Sequence, residues 1–302
     1  MFDHFVWSVV VVPVLVLAAG HLLVDRLRPD LAARAFAWAT AIAGIAAGVN
    51  LFSFALKALA EIPAVARMGG WSHETVAADT AHVPWVSWLS LLWCVAAGIA
   101  VTVAWRARRR AIRTSEQLAE TLPDGPRVVV VPSEAVDAFS LPGPSGRIVV
   151  TTAMRDTLHT DRLDAVIAHE QCHLDQRHHD LLWLTRLGKT IHPLLTPMLR
   201  HVQYLVERAA DEAAADAVGN RRNVAAAVGE AALRANRVTA PAGTLHLGAR
   251  PGEMPRRVNA LLADQVGRRL LVWIPALVAV STVVWTGECV YDLQELLVFA
   301  MR

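Results

Sequence analysis

Ala165-Val166-Ile167-Ala168-His169-Glu170-Gln171-Cys172-His173-Leu174-Asp175 decides the reading of this chain. It contains His-Glu-x-x-His. On a helix, residues four apart share a face, so His169 and His173 can grip one ion. Glu170 directly follows the first histidine, within reach of a water held on that ion. The pattern is that of a zinc metallopeptidase. A five-residue match also arises by chance on surface helices. Leu163, Val166 and Ile167 argue against that here, because apolar residues at helical spacing mark a packed helix.

A catalytic zinc takes three protein ligands and keeps one position open for water. A second acidic helix is expected from about Thr196 or Met198 to Gly219. It carries Glu207-Arg208-Ala209-Ala210-Asp211-Glu212-Ala213-Ala214-Ala215-Asp216. Glu207 and Asp211 repeat the four-residue spacing of the histidines. In this reading Glu207 is the third ligand, and Asp211 orients a ligand histidine by accepting its other ring N–H. Glu212 and Asp216 have the same spacing and compete for these roles, and a solvated acidic face is the bland alternative. Cys172 lies off the face shared by the histidines, which fits core packing. His178 and His179 are expected to fall away from that face. His246, read as a loop residue, is a candidate donor to a developing oxyanion. Arg256 and Arg257 can pair with a carboxylate near the site or simply begin a basic helix.

The 302 residues are 54% hydrophobic, with a mean hydropathy of +0.37. That is too apolar for an ordinary soluble domain and calls for membrane segments. Four fit: residues 5–24, 34–56, 84–105 and 270–286. No basic stretch precedes the first, and it is longer than a signal-peptide core, so it reads as a retained span. Trp85 and Trp105 fit the two interfacial belts of the third. The run Arg106-Ala107-Arg108-Arg109-Arg110-Ala111-Ile112-Arg113 directly follows, as a cytoplasmic anchor does, and no direct nucleic-acid contact is expected from it. This orientation places residues 58–83 outside, 106–268 inside and the tail from 287 outside. Three cysteines, an odd number without a Cys-x-x-Cys pair, indicate neither a disulfide framework nor a cysteine zinc site.

Arg127 to Pro132 reads as a buried strand. Residues 138–141 and 147–152 read as a hairpin, whose free edge an extended substrate could join beside the metal. Thr160 or Asp161 is expected to cap the motif helix, which should run to about Leu187. The stretch 181–206 is apolar but interrupted by Arg186, Lys189, Pro193 and Pro197, so it reads as a buried or interfacial helical hairpin rather than a fifth span. The expected fold is a mainly α integral membrane protein: four transmembrane helices with a cytoplasmic zincin-like α+β metallopeptidase domain. Residues 1–105 form the membrane region, 106–268 the catalytic domain, and 269–302 the fourth helix and a short tail.

The zinc helix, the Glu-x-x-x-Asp element at Glu207 and Asp211, and the helix arrangement together resemble the BlaR/MecR-type membrane metallopeptidases, relatives of HtpX and the CAAX prenyl proteases. Ala138-Phe139-Ser140-Leu141-Pro142-Gly143 and Ile148 to Thr152 resemble the strand pair that precedes the zinc helix there, and Arg257-Val258-Asn259-Ala260-Leu261-Leu262 resembles the closing Arg-(Ile/Val)-x-x-Leu. The resemblance favours Glu207 over Glu212 as ligand. It implies a zinc endopeptidase of the bacterial plasma membrane that cleaves a cytoplasmic protein, often a BlaI-like transcriptional repressor. Antibiotic-sensing members carry a penicillin-binding domain after the last membrane helix; the sequence to Arg302 holds none, so direct β-lactam sensing is not expected. The rival readings are a quality-control protease for membrane proteins and a non-catalytic zinc-binding sensor. Glu170 argues against the sensor, which needs no base. A transporter fits less well, because paired intramembrane charges are lacking and His21 is a lone candidate.

Overall fold

Pro29 starts the helix around which the others gather. Its missing N–H and preset φ suit a first helical position. Ala and Gly then recur through the segment, so neighbouring backbones can approach closely. The computed structural model describes residues 2–143, 146–234, 245–246, 253–263 and 270–302. Four of its helices are long and apolar enough to cross a membrane: α1 (Phe2–Leu23), α2 (Pro29–Ala60), α5 (Trp85–Glu120) and α12 (Trp273–Ala300). Between α2 and α5 lie the short helices α3 (Pro63–Gly69) and α4 (His73–Ala78).

Two helices run on beyond the apolar segments read from the sequence. Beyond the third segment, α5 continues through the arginines to Glu120. No proline or glycine interrupts this stretch, and Ser115 Oγ donates to the Pro142 carbonyl (3.2 Å), fixing the extension against the sheet. Likewise, residues 287–300, read from the sequence as a short tail, are helical. They complete α12, and Ser72 N–H donates to the Ala300 carbonyl (2.9 Å) at its end. Asp292 and Glu295 end the apolar run but not the helix.

The polar part builds on a small mixed sheet. Its strands are β1 (Val128–Val131), β2 (Ala138–Leu141), β3 (Arg147–Thr151) and β4 (Leu245–His246), in the order β1-β3-β2-β4. β1 runs parallel to β3, and β2 runs antiparallel to it, with Phe139 opposite Val149. β4 pairs with the other edge of β2, placing His246 opposite Phe139 and Leu245 opposite Ser140. His246 is thus on a strand rather than in a loop, and the edge of β2 is already paired at these two positions. Ile148, Val150 and Ala138 pack with Ala165, Val166, Ala214 and Leu261, joining the sheet to the helices that follow.

Those helices are α6 (Thr152–Thr157), α7 (Thr160–Asp175), α8 (His178–Ile191), α9 (Thr196–Val218), α10 (Arg221–Arg234) and α11 (Glu253–Leu262). His159 precedes α7 as its cap residue, and no side chain caps that end, so neither Thr160 nor Asp161 does so. Nor does α7 run to Leu187. It stops at Asp175, and Arg177 takes a left-handed backbone (φ 52°) before α8 begins. A non-glycine residue there costs about 1–2 kcal/mol. No glycine or proline announces the break.

α8 and α9 form a hairpin set between the spans. At Gly188, an added Cβ would lie 2.3 Å from the Thr40 carbonyl oxygen; at Gly44, 2.6 Å from the Gly188 backbone. α8 and α2 therefore touch through bare backbone. At the tip, Trp93 Nε1 donates to the Ile191 carbonyl (3.1 Å), satisfying a helix-end acceptor that has no partner of its own. Pro193 and Pro197 sit in the turn and in the first turn of α9, where their missing N–H groups matter least. The tip is about 18 Å along α5 from Trp105.

We expect Gly188→Ala to lower stability by about 1–3 kcal/mol, because a methyl group there meets rigid backbone. Gly98→Ala, where a Cβ meets nothing within 4 Å, should leave the thermal unfolding temperature in detergent unchanged. Unfolding scans of the two variants beside the parent protein check this.

Candidate metal centre

α7 and α9 pack side by side, with small residues between them. Ala209, Ala210 and Ala214 are buried, and the Cys172 thiol faces the Ala209 carbonyl at 3.8 Å. Burial pushes that thiol up to about 12, so it stays protonated and acts as packing. The closeness of the helices brings two i, i+4 pairs together. His169 Nε2 and His173 Nε2 are 3.1 Å apart. Each lies 3.6 Å from a carboxylate oxygen of Glu207. Ligands about 2.0–2.2 Å from a tetrahedral ion stand about 3.3–3.6 Å from one another. The set therefore has the size of a metal site, and its ligating atoms all lie within 4.8 Å.

The far nitrogen of each histidine is also placed. His169 Nδ1 lies 3.1 Å from Asp211 Oδ1. His173 Nδ1 lies 2.8 Å from His178 Nδ1. If His173 Nε2 is to offer a lone pair, its proton must sit on Nδ1 and be donated to His178. His178 is buried and held down to about 4 by burial, so it is neutral and can accept. The sequence reading sent His178 away from this face. On a continuous helix that would hold; the turn at Arg177 reverses it. The nearest sequence signal was the histidine itself, five residues beyond His173.

A buried guanidinium organises the acids. Arg257, on α11, donates to both oxygens of Asp211 (Nε to Oδ2, 2.8 Å; Nη2 to Oδ1, 2.7 Å). Its Nη1 lies 2.9 Å from Glu207 Oε2. Arg256 turns elsewhere: it pairs with Asp25 and lies over the Tyr204 ring at 4.0 Å. Glu212 pairs with Arg221 (Nη2 to Oε1, 2.9 Å) rather than joining the histidines, and Asp216 is exposed. Glu170 is fully buried on α7, adjacent to His169. His179 is near Asp180 on α8.

The charges follow from these partners. Burial lowers His173, and the charges of His169 and Arg257 lower it further, although Glu207 opposes them. Burial also opposes a charge on His169, but Asp211 and Glu207 outweigh it and raise this histidine to about 9. Burial would raise both carboxylates, yet Arg257 and the histidines hold Glu207 and Asp211 below the usual carboxylate range. Glu207 thus remains an anion at neutral pH, as a ligand must. Two imidazoles and one carboxylate, backed by hydrogen-bonding groups, are a donor set suited to zinc.

Residues 105–293 match the family model of Peptidase family M48. No curated protein matches the chain.

Two outcomes follow for metal binding. Below pH 9 an incoming ion must displace the His169 proton. Zinc affinity should rise about tenfold per pH unit from this group between pH 6 and 8, with its contribution levelling off above pH 9; chelator competition across that range measures it. Asp211→Asn should weaken zinc binding about 10–100-fold by loosening His169, whereas Glu212→Gln should not; the same competition assay separates them.

Proposed function

Because the chain belongs to peptidase family M48, we propose that it is a membrane-embedded zinc endopeptidase with His169, His173 and Glu207 as ligands and Glu170 as the catalytic base. The observation that carries this reading is the buried cluster itself. Three ligating groups of the right size stand together, each held by a second group, with a carboxylate beside the first histidine.

When bound, zinc lowers the pKa of its water toward about 7 and polarises the scissile carbonyl. Glu170 accepts the proton of the attacking water and passes one to the leaving amine. Its burial strengthens these transfers by excluding bulk water. Asp211 and His178 hold the histidine rings in register. Arg257 keeps Glu207 and Asp211 anionic and fixed, so their geometry need not reorganise during the reaction. His246 has a backbone place on β4, and its assignment as an oxyanion donor remains a proposal of the sequence.

The arginines from Arg106 to Arg113 support a cytoplasmic location for the site by the positive-inside rule. Residues 106–268 are then the catalytic part, working at the plasma membrane. The resemblance to BlaR/MecR-type peptidases favours a cytoplasmic protein substrate, a BlaI-like transcriptional repressor, and thus regulated proteolysis.

Glu170→Gln should retain zinc while lowering cleavage by about 10²–10⁴-fold. Metal content and new protein N-termini, compared in cells carrying either form, test both halves. A few cytoplasmic termini lost in the variant support a regulatory protease. Many lost termini in membrane proteins would replace that reading with quality control. Loss of zinc from the variant would remove Glu170 from the role of base.

A further inference from the structure

A second site lies where α5 meets α8, outside the metal cluster. The helices run antiparallel. Arg108 Nη2 meets Asp180 Oδ1 at 2.7 Å, and the Trp105 and Trp183 rings are 6.1 Å apart. Between them opens a cavity of about 520 Å³, bordered by Arg108, Trp183, Arg186, Lys189, Ala104 and Leu199. Its polar content is one-sided. Arg108 has Asp180 and lies over Trp183 (4.8 Å), but among the described residues neither Arg186 nor Lys189 meets a carboxylate.

Depth makes these two cations unusual. Arg186 and Lys189 lie about 4.5 and 9 Å along α8 from Trp183, toward the hairpin tip. With Trp105 at the cytoplasmic face of the bilayer, both helix positions fall below the headgroup plane. A cation at that depth needs a partner or must extend its side chain back to the interface. The outer face of α5 is apolar and open, with Leu92, Ile99 and Val103 each more than 60% exposed. Lipid therefore reaches the border of the cavity.

We propose that this cavity binds one anionic phospholipid, its phosphate between Arg108, Arg186 and Lys189 and its acyl chains along the apolar walls. Charge selects the occupant. Arg186 and Lys189 bring two cations without carboxylate partners among the described residues, the walls are apolar, and the site opens where lipid phosphates lie. A phosphate in this position would replace the acidic partners that the fold omits. The bound lipid would also brace α8 at its polar end, since His179 borders the same cavity and His178 precedes it. The proposal rests on the membrane reading of α5 and is independent of peptidase chemistry.

The test is native mass spectrometry of the full chain in detergent, titrated with phosphatidylglycerol, phosphatidylcholine or glycerol phosphate. The parent protein should hold one phosphatidylglycerol about tenfold more tightly than phosphatidylcholine, and free glycerol phosphate should not compete at equal concentration. Arg186→Ala/Lys189→Ala should remove that preference, whereas Arg110→Ala/Arg113→Ala, at exposed positions on α5 outside the cavity, should keep it. Equal preference in the Arg186/Lys189 variant would overturn the site. Equal binding of the two lipids would overturn the charge argument, and effective competition by glycerol phosphate would overturn the lipid as occupant. If the double variant does not fold, Lys189→Gln alone decides, with about a threefold loss expected and no loss overturning the proposal.

Discussion

The bridge from Arg257 to Asp211 and Glu207 holds the site in its working shape. Two carboxylates buried one helical turn apart would repel each other and gain protons. The guanidinium between them removes that repulsion, and its planar fork matches Asp211 at both oxygens. Everything nearer the metal position depends on this. Asp211 can orient His169 only while it is ionised, and Glu207 can face both histidines only while it is anchored. A buried pair of this kind is weak evidence of net stabilisation. Its value lies in geometry, because removing either partner strands a charge.

The second constraint comes from the hairpin of α8 and α9. α8 supplies the start that carries His178, and α9 carries Glu207 and Asp211, so both halves of the hairpin reach the metal cluster. Their other ends are fixed among the spans, through Gly188 against Thr40, Trp93 against the Ile191 carbonyl, and Met198 buried near Gly20. Site and spans thus share helices. Asp25 adds a further tie, accepting from Tyr204 at 3.2 Å and pairing with Arg256, the neighbour of Arg257.

What could be read in the sequence was local. His169 with His173, and Glu207 with Asp211, are pairs within one helix, and periodicity is enough to align them. The four apolar helices and the hairpin's interrupted polarity were visible for the same reason. Contacts between elements were not. Nothing in Gln176-Arg177 marks a helix break, since neither residue favours a left-handed backbone, and the tertiary fold imposes it. His178 was therefore assigned to the wrong face. Arg256 and Arg257 look alike in sequence, and only the packing of α11 sends one to the acids and the other to Asp25. Pairing of β4 with β2 joins residues more than 100 positions apart, which no local pattern encodes. The helical continuations of α5 and α12 were not legible, because hydropathy reports where apolar character stops, and a helix can continue beyond that point.

The Trp93–Ile191 contact has a consequence for reach. If Trp85 and Trp105 mark the two faces of the bilayer, the hairpin tip lies about 18 Å from the Trp105 face. Thirteen residues separate Ile191 from His178, and eleven separate Thr196 from Glu207, rises of about 20 and 17 Å. Both climbs end close to the height of Trp105. On that placement the two helices would act as stilts of fixed length, holding the His169, His173 and Glu207 cluster level with the lipid headgroups. In the proposed peptidase, a polypeptide would have to bring its scissile bond to that plane, so proximity to the membrane would become part of what distinguishes one peptide bond from another.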